Sequence, residues 1–299
     1  MPKSFIVDDE YHEARFDKWF KQKVISLPHS LIEKIIRQNK IKINKKKAKS
    51  SYRLQSGDLI EIFDITKFKE KVKNEKVKYI PQKKELSKYD DYIIENNDNF
   101  VVINKPAGIP VQSGTKSFKN IIDVLKNSKY FQDSKPFIVH RIDKETSGIL
   151  IIAKNRKFAQ LFTTLFRIRK IHKTYLAITY GKINKSIKNM RDELTYFDNK
   201  KKITQKAISN IKIIKSNDEL SYVELNPITG RKHQLRKQLL NLGNPIIGDD
   251  KYYLINYRKI KVKSLMLHAY KIKFMINNVQ YNFKAKYNNY FEEFLKEKF

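Results

Sequence analysis

The sequence predicts an α+β protein with two domains: a small one of helices and short strands, and a larger one in which helices flank a largely antiparallel mixed sheet. Helical periodicity followed by short strands fills residues 1–65, and a highly charged segment with few apolar clusters follows over residues 66–90. Residues 91–299 contain many strand-like segments and few helices, without the regular alternation of a doubly wound sheet. We therefore expect an N-terminal domain, a linker and a C-terminal domain over these three ranges.

The charge of the chain favours a polyanionic partner. Its 299 residues include 63 Lys and Arg against 31 Asp and Glu, which gives a formal net charge of +32. Each Lys or Arg that neutralises a phosphate releases condensed counterions, so proteins of this charge typically bind nucleic acid. Codon drift in an AT-rich genome would also enrich lysine without any ligand. Nucleic acid is nevertheless the partner that the composition favours.

Several classes of protein are disfavoured by what the sequence lacks. The chain has no cysteine, which excludes disulfides and thiolate zinc sites, and its six His residues do not have metal-ligand spacing, so no metal site is expected. No apolar run approaches the ~20 residues of a membrane helix, and the N-terminus lacks the apolar region of a secretory signal. We expect a cytoplasmic protein that is a monomer.

The N-terminal domain begins with two predicted helices. The segment "RFDKWFKQKV" places Phe16, Trp19 and Phe20 at helical spacing. The segment "LPHSLIEKIIRQNKIKIN" offers Ser30 as the N-cap of a second helix with an apolar stripe over residues 31–36. A basic turn and an alternating strand follow in "KKKAKSSYRLQSGDLIEIF".

This order of helix, helix and short strands with a basic rim resembles the S4 RNA-binding domain over about residues 13–63. The resemblance implies that the rim contacts RNA. The basic residues to which we assign this contact are Arg15, Lys18, Arg37, Lys40 and Lys42. A basic face that is solvated and binds nothing is the alternative.

The C-terminal domain opens with "YIIENNDNFVVINKPAGIPV", which reads as two strands about an Asn-Asp-Asn turn. Helical periodicity is present in "SFKNIIDVLKNSKYF" and "RKFAQLFTTLFRIRKIH". The remaining strand-like segments are "KTYLAITYGKI", "KAISNIKIIKS", "LSYVELNPITG", "MLHAYKIKFMI" and "VQYNFKAKY". Few helices among this many strands favour an antiparallel sheet.

The stretch "FIVHRIDKETSGILIIAKN", residues 137–155, holds a dense polar loop between two apolar runs that we interpret as strands. It differs from the kinase catalytic loop because Ile142 separates the arginine from Asp143, and the chain has no Gly-rich phosphate loop and no D-F-G. Ser147 does not lie in a G-x-S-x-G elbow. The spacing of Asp143 and Glu145 alone gives no reason to expect that the two side chains converge as paired glycosidase carboxylates. Asp143 alone remains as the candidate for chemistry.

Four motifs of the C-terminal domain together resemble one known family. "HRIDKETSGILIIAK" resembles the H-R-L-D-x-x-T-S-G-L-L-L-x-A-K signature of the RluA-type pseudouridine synthases. "NKPAGIPVQ", "KTYLAITYG" and "NPITGRKHQLR…LGNPIIGDDKY" are similar to its other motifs, in the same order and spacing over roughly residues 90–275. The departures are Ile142 for Leu, Lys232 for Thr, and Lys237-Gln238 for Val-His. An S4 domain ahead of these motifs resembles the subgroup that acts on large-subunit ribosomal RNA.

The resemblance implies isomerisation of uridine to pseudouridine, with Asp143 as the catalytic aspartate. The C–N glycosidic bond breaks, the uracil turns, and C5 rejoins C1′ of the ribose. Asp143 would act either as a covalent nucleophile or as a base. The match assigns Arg231 as the cation that keeps Asp143 ionised, and Tyr175 as the residue that stacks on the uracil or relays the C5 proton. No cofactor is expected, because the reaction needs no redox or high-energy input.

The resemblance also implies how the C-terminal domain contacts its partner, large-subunit ribosomal RNA. Arg141 matches the residue that enters the RNA helix where the flipped base has left. The residues assigned to RNA backbone contact or loop support are Lys105, Lys173, His233, Gln234 and Arg236. Two alternatives stay open: a non-catalytic RNA-binding or ribosome-assembly factor, and the same chemistry on transfer RNA. The S4 domain favours ribosomal RNA only by analogy.

Overall fold

The computed structural model divides the chain into two compact units, residues 1–78 and residues 79–299, and each is described by itself. The described residues are 2–64, 79, 81–113, 119–198, 201–257 and 260–299. Most of the predicted linker, residues 66–78 and residue 80, therefore lies outside the described residues. The end of that segment belongs to the second unit, which begins before the boundary expected at residue 91.

The first unit is a four-stranded antiparallel sheet with two helices. Its elements are β1 (Lys3–Ile6), α1 (Phe16–Lys23), α2 (His29–Arg37), β2 (Ile41–Ile43), β3 (Lys46–Lys47) and β4 (Leu59–Ile62). The strands lie in the order β1-β4-β2-β3. Phe16, Trp19 and Phe20 of α1 share one buried cluster with Ile32 and Ile35 of α2, so the helical spacing in the sequence correctly identified the buried face.

The N-terminus of α2 differs from the prediction. Ser30 is not the N-cap, because Pro28 occupies that position with φ −55° and ψ 146°, and Ser30 lies within the first turn. The pyrrolidine ring fixes φ near the value needed at a helix entrance, so the chain turns into the helix without a side-chain cap. Ser30 therefore has no capping role.

The second unit contains five helices and ten strands among its described residues. The helices are α3 (Lys83–Asp90), α4 (Ile121–Lys126), α5 (Arg156–Arg167), α6 (Gln234–Asn241) and α7 (Asn289–Lys298). The strands are β5 (Ile93–Asn96), β6 (Phe100–Lys105), β7 (Phe137–Ile138), β8 (Ser147–Ala153), β9 (His172–Tyr180), β10 (Asn189–Asp198), β11 (Lys201–Ser216), β12 (Leu220–Pro227), β13 (Leu267–Ile276) and β14 (Val279–Lys284).

These ten strands form one mixed sheet. Its main path runs β10-β11-β12-β9-β13-β8-β6-β5, with β14 beside β13 and β7 beside β8. Among the described strand pairs, β8 and β13 alone are parallel, and every other pair is antiparallel. The predicted α+β class with a largely antiparallel mixed sheet is confirmed.

Helices cover both faces of the central strands. Val101 of β6 belongs to a buried cluster with Val124 of α4, whereas its neighbour Phe100 belongs to another cluster with Phe162 of α5. Successive residues of a strand point to opposite faces, so β6 and β8 must be apolar at nearly every position. The helices of the described part of the chain are all too short or too polar to cross a membrane.

Several elements were not predicted from the sequence, among them β1, helix α3 within the segment expected to be a linker, β10 and α7. Strand β10 reads "NMRDELTYFD", which is largely polar, and it is fixed by antiparallel pairing along its whole length with β11. Helix α7 begins after Asn288, whose side chain accepts a hydrogen bond from the Phe291 N–H at 2.8 Å. Phe291 and Phe294 are buried against the sheet. The helix is therefore stabilised by tertiary packing, which its charged sequence does not reveal.

Candidate active site

A cleft of about 650 Å³ lies in the second unit, a volume typical of sites that enclose a small molecule or a single base. The loop between β7 and β8, strand β9, the segment after β12 and the first turn of α6 form its walls. Its polar lining includes Arg141, Asp143, Arg169, Lys173, Tyr175, Arg231, His233 and Arg236. The structure therefore brings all three predicted catalytic residues into one cleft.

Asp143 lies in the loop that joins β7 to β8. The two strands pair directly, with Phe137 opposite Ala153, so the loop between them starts and ends at fixed points. The Thr146 N–H donates to the Asp143 carbonyl at 3.2 Å and closes a tight turn. The Asp143 side chain remains 28% exposed, so its carboxylate is held firmly but is open to the cleft.

Two basic side chains from α6 and the preceding turn face the Asp143 carboxylate. The Arg236 Nη1 lies 3.5 Å from Oδ2, and the His233 Nε2 lies 3.7 Å from Oδ1. His233 has a left-handed backbone, φ 54°, and its Nδ1 forms a 2.8 Å hydrogen bond with the Tyr252 hydroxyl. Burial lowers the pKa of His233, against the opposing pull of Asp143. Arg236 therefore supplies the permanent positive charge beside Asp143.

Arg236 is itself held by a buried carboxylate. Its Nε and Nη2 donate to Oδ2 and Oδ1 of Asp249, each at 2.7 Å. The guanidinium carbon lies 5.0 Å from the centre of the Tyr252 ring, within cation–π range. The Arg236 side chain is 8% exposed and the Asp249 side chain 0%. The cation beside Asp143 is thus part of a rigid network.

The sequence assigned the position beside Asp143 to Arg231, and the structure places Arg236 there. The Arg231 side chain lines the same cleft, but its Nε donates to the Lys206 carbonyl at 3.1 Å, on β11. Arg231 precedes α6 and is part-exposed, whereas Arg236 lies in the first turn of that helix on its buried side. Both arginines belong to the motif "GRKHQLR". Only the path of α6 determines that Arg236, and not Arg231, lies beside Asp143.

Tyr175 of β9 lies in the cleft with Asp143, as the sequence predicted. Its ring also packs against the buried clusters on the sheet. Burial, and secondly the negative charge of Asp143, raise the pKa of the Tyr175 hydroxyl. The phenol therefore stays protonated at neutral pH and presents a flat ring with a hydrogen-bond donor.

Besides Arg236, two residues assigned to RNA contact or loop support are buried inside the protein. Lys105 is 0% exposed, and its ammonium donates to the carbonyls of Pro106, Ile109 and Lys144 at 2.7, 2.9 and 3.1 Å. Burial lowers its pKa to about 7. Lys144 follows Asp143 directly, so Lys105 supports the loop that bears Asp143 and does not face an RNA phosphate.

Gln234 is the second of these residues. Its Oε1 accepts from the Thr229 hydroxyl at 2.7 Å and from the Arg231 N–H at 3.0 Å. Its Nε2 donates to the Ile208 carbonyl at 3.1 Å. These bonds tie the turn before α6 to β11. Lys173, in contrast, lines the cleft, and burial lowers its pKa.

The described residues include no group of three or more His, Cys, Asp or Glu side chains that could hold a metal ion. The charges that face the Asp143 carboxylate come from Arg236 and, when protonated, His233. What the site offers a substrate is one carboxylate, one fixed guanidinium and one phenol.

The predicted basic rim of the first unit lies partly in internal contacts. Arg15 makes a bidentate pair with Asp17 at 3.0 and 2.8 Å. Lys40 donates to the Asp64 carbonyl at 2.8 Å, and Lys42 lies 5.2 Å from the centre of the Phe63 ring. The remaining two assigned residues, Lys18 and Arg37, are exposed. Contact of this rim with RNA stays a prediction.

Comparison with known proteins finds a matching family for each of the two units. Residues 99–241 match the family described as RNA pseudouridylate synthase, and residues 15–60 match the S4 domain. Ribosomal large subunit pseudouridine synthase C of Rickettsia conorii is 40% identical over 254 residues, which cover 80% of this chain and 82% of the relative. The protein of that name from Rickettsia felis is 38% identical over 300 residues, 94% of this chain and 95% of the relative.

A solved structure agrees with these relatives. Human RNA Pseudouridylate Synthase Domain Containing 4 superposes with a TM-score of 0.61 at 28% identity, covering 71% of this chain and 94% of its own. These matches make the chain an RNA-modifying enzyme of the isomerase class. The chain belongs to the RNA pseudouridylate synthase family. The sequence-based identification of that family and of the S4 domain is confirmed.

Proposed function

We propose that this pseudouridine synthase acts on uridines of large-subunit ribosomal RNA, with Asp143 as its catalytic carboxylate. The observation that carries the assignment is the position of Asp143: part-exposed in the cleft and 3.5 Å from a buried guanidinium. The ribosomal substrate is supported by the S4 domain and by relatives whose names specify the ribosomal large subunit.

Asp143 is the group proposed to act on the ribose of a flipped uridine. Its carboxylate can attack as a nucleophile or remove a sugar proton, and in both cases it stabilises positive character at C1′. Arg236 supplies the opposite charge that a carboxylate needs in a site closed over a base. We therefore assign to Arg236 the role that the sequence motif gave to Arg231.

Tyr175 is proposed to hold the uracil. A protonated phenol is a poor proton acceptor at neutral pH, so stacking and hydrogen-bond donation fit this residue better than direct removal of the C5 proton. The ring stands beside Asp143 in the same cleft, where a base that has left the RNA stack needs a flat partner.

Arg141 and Arg231 are proposed to contact RNA around the flipped base. Arg141 is exposed and Arg231 part-exposed where the cleft opens, so a planar guanidinium is available to a phosphate or to the gap left in the helix. Lys173 can approach a phosphate from within the cleft. The S4 rim would add a second, sequence-independent contact, with Lys18 and Arg37 as its exposed cations.

Release of tritium from C5-labelled large-subunit ribosomal RNA tests the catalytic assignment. Asp143→Asn should abolish release while RNA binding is retained, because the amide keeps the shape of the side chain and removes its charge. Glu145→Gln is the matched control: it removes one carboxylate charge from the same loop, at a side chain that is 46% exposed, and should remain active. Full activity of Asp143→Asn would refute the assignment.

The same assay separates the two alternatives. A non-catalytic assembly factor would bind ribosomal RNA and release no tritium, and an enzyme specific for transfer RNA would release tritium from that substrate alone. A cytoplasmic location, a monomeric state and independence from any cofactor remain predictions of the sequence. Activity of the purified monomer in the presence of a chelator would support the monomeric state and the independence from a cofactor.

A further inference from the structure

The central sheet of the second unit has two different faces. Lys173 and Tyr175 of β9 line the cleft, and Thr174 between them points to the opposite side. Ile272, which lies opposite Lys173 on β13, is buried in a cluster with Phe162 of α5. The cleft and α5 therefore share one face, and the residues on the side of Thr174 form what we call the reverse face.

Helix α7 covers one end of the reverse face. The ring of Tyr222, on β12, packs against the Phe291 ring with the two centroids 6.4 Å apart. Two residues further along β12, Glu224 points to the same side as Tyr222. Beyond Glu224, strands β9, β13 and β14 present exposed or half-buried basic side chains on this face: His172, Lys271, Lys273 and Lys284.

Three of these lysines are brought together by strand pairing. Lys271 of β13 lies directly opposite Lys284 of β14, and Lys273 follows two residues later on the same side. Lys271 is also opposite Thr174, which places the three lysines on the reverse face. Residues directly opposite on antiparallel strands have Cβ atoms about 5 Å apart, and like charges in this position are destabilising. The fold therefore holds an unfavourable cluster of positive charges.

Glu224 lies beside this cluster and compensates it only in part. It is directly opposite Lys212 of β11, an exposed lysine that offsets its charge. Partial burial, and then the positive charges of Lys273 and Lys284, lower the pKa of Lys271, whereas the opposing pull of Glu224 is the weakest of these effects. Among these five residues, four ammonium groups face a single carboxylate, so the surface favours an external anion.

The composition of the reverse face fits phosphate better than an acidic protein. A lysine ammonium is a compact point charge that binds phosphate oxygens. Thr174 and Asn282, which lie opposite Lys271 and Lys273, add a hydroxyl and an amide, groups that hydrogen-bond to RNA phosphates and 2′-hydroxyls. The centres of protein–protein interfaces are instead depleted in lysine and enriched in aromatic residues.

We propose that the reverse face binds the phosphate backbone of a second RNA segment, distinct from the one whose uridine enters the cleft. Lys271, Lys273 and Lys284 are its principal contacts. The proposal rests on the proposed large-subunit ribosomal RNA substrate and goes beyond it, because a contact behind the cleft recognises the shape of a folded RNA and not the target nucleotide. It gives the enzyme a preference for a large folded RNA over a short strand.

A triple variant of the full-length enzyme, Lys271→Gln with Lys273→Gln and Lys284→Gln, tests this surface by filter binding to large-subunit ribosomal RNA. The Kd should rise at least about tenfold, and the slope of log affinity against log salt concentration should become shallower by about 2 to 3, because three phosphate contacts are lost. KM for tritium release should rise with Kd. By contrast, kcat should change by no more than about twofold, because the cleft lies on the other face.

The matched control is Lys88→Gln with Lys126→Gln and Lys135→Gln, which removes the same charge from exposed side chains outside the sheet. It should keep the wild-type salt slope. A wild-type Kd and slope in the reverse-face variant would overturn the proposal, even if that variant had lost contact with an acidic protein or with a second copy of the chain. Equal losses in the two triple variants would overturn it as well, since net charge alone would then govern binding.

Site-directed cleavage of the RNA provides a second test that leaves the lysines in place. Because the chain has no cysteine, Asn282→Cys creates a single attachment point for an iron–EDTA group on the reverse face. Lys170→Cys creates one beside Arg169, which lines the cleft. Each probe should cut large-subunit ribosomal RNA at discrete positions, and the two sets should lie in different segments. The absence of discrete cuts from residue 282, or the same cuts from both probes, would overturn the proposal.

Failure of the proposed function is recognised separately. A wild-type enzyme that releases no tritium from large-subunit ribosomal RNA would refute that function, whatever the reverse face binds. A wild-type salt slope in the reverse-face variant, together with normal tritium release, would refute only the role of the reverse face.

Discussion

His140 shows how a single residue of the loop that bears Asp143 is kept neutral. Its Nε2 accepts the Ile151 N–H at 2.8 Å, and its ring lies 4.7 Å from the Phe166 ring centre. Burial, and secondly the charge of Lys173, lower the pKa of His140 to about 3. The imidazole therefore braces the loop against β8 as a hydrogen-bond acceptor and is unsuited to act as an acid at neutral pH.

This depressed pKa predicts a pH dependence of stability. The unfolded chain binds a proton at His140 below a pH of about 6.5, whereas the folded protein does not bind it until a pH of about 3, so stability falls as the pH drops through this window. Between pH 7.5 and pH 5 the loss from this group should be about 2 kcal/mol. Urea unfolding of His140→Gln at pH 7.5 and pH 5 should show a correspondingly weaker acid dependence.

His172→Gln is the control for that measurement, because the His172 side chain is exposed at the start of β9. It should retain the acid dependence of the wild type. Equal acid dependence in His140→Gln and the wild type would mean that His140 is not protected from protonation in the folded state.

At the scale of elements, the contact between β8 and β13 sets the position of the loop that bears Asp143. These strands are parallel, with Ala269 opposite Gly148, and β8 begins only four residues after Asp143. Gly148 has φ +106°, and a Cβ there would lie 2.3 Å from the Ala269 carbonyl oxygen. Only glycine allows the two backbones to approach this closely.

Gly148→Ala is therefore expected to be strongly destabilising. A methyl group in this space forces the strands apart and adds the strain of a left-handed backbone, so the free energy of unfolding should fall by more than about 3 kcal/mol. Gly243→Ala is the matched control: its φ is +85°, but no atom lies within 4 Å of the added Cβ. It should cost only the backbone strain, about 1 to 2 kcal/mol.

Denaturant unfolding of both variants distinguishes close approach from backbone strain. Similar losses of stability in Gly148→Ala and Gly243→Ala would show that the contact between β8 and β13 yields to a methyl group. In that case the loop bearing Asp143 would not depend on this strand pair for its position.

At the scale of the whole molecule, the sequence predicted which distant segments meet. The motif containing Asp143 and the strand containing Tyr175 are brought into one cleft, as the resemblance implied. The resemblance assigned the cation beside Asp143 to Arg231, whereas the structure has Arg236 there, because both follow the same glycine and only the path of α6 turns Arg236 inward. The buried partner that identifies Arg236 is Asp249, which is thirteen residues further along.

Other features depended on tertiary contacts that no local pattern records. Lys105 was assigned from the sequence to RNA backbone contact or loop support, and the sequence did not distinguish the two; the fold surrounds its ammonium with three carbonyls. Strand β10 is too polar to be recognised by hydrophobic alternation and is defined by its pairing with β11. Ser30 is a better cap than Pro28 by preference alone, but the chain enters α2 through the proline.

Mapping of pseudouridines in large-subunit ribosomal RNA, by carbodiimide-blocked reverse transcription, tests the central claim most directly. Cells that lack this gene should lose a defined set of blocks in that RNA, the wild-type gene should restore them, and the Asp143→Asn gene should not. Restoration by Asp143→Asn, or an unchanged pattern of blocks in cells without the gene, would contradict the account.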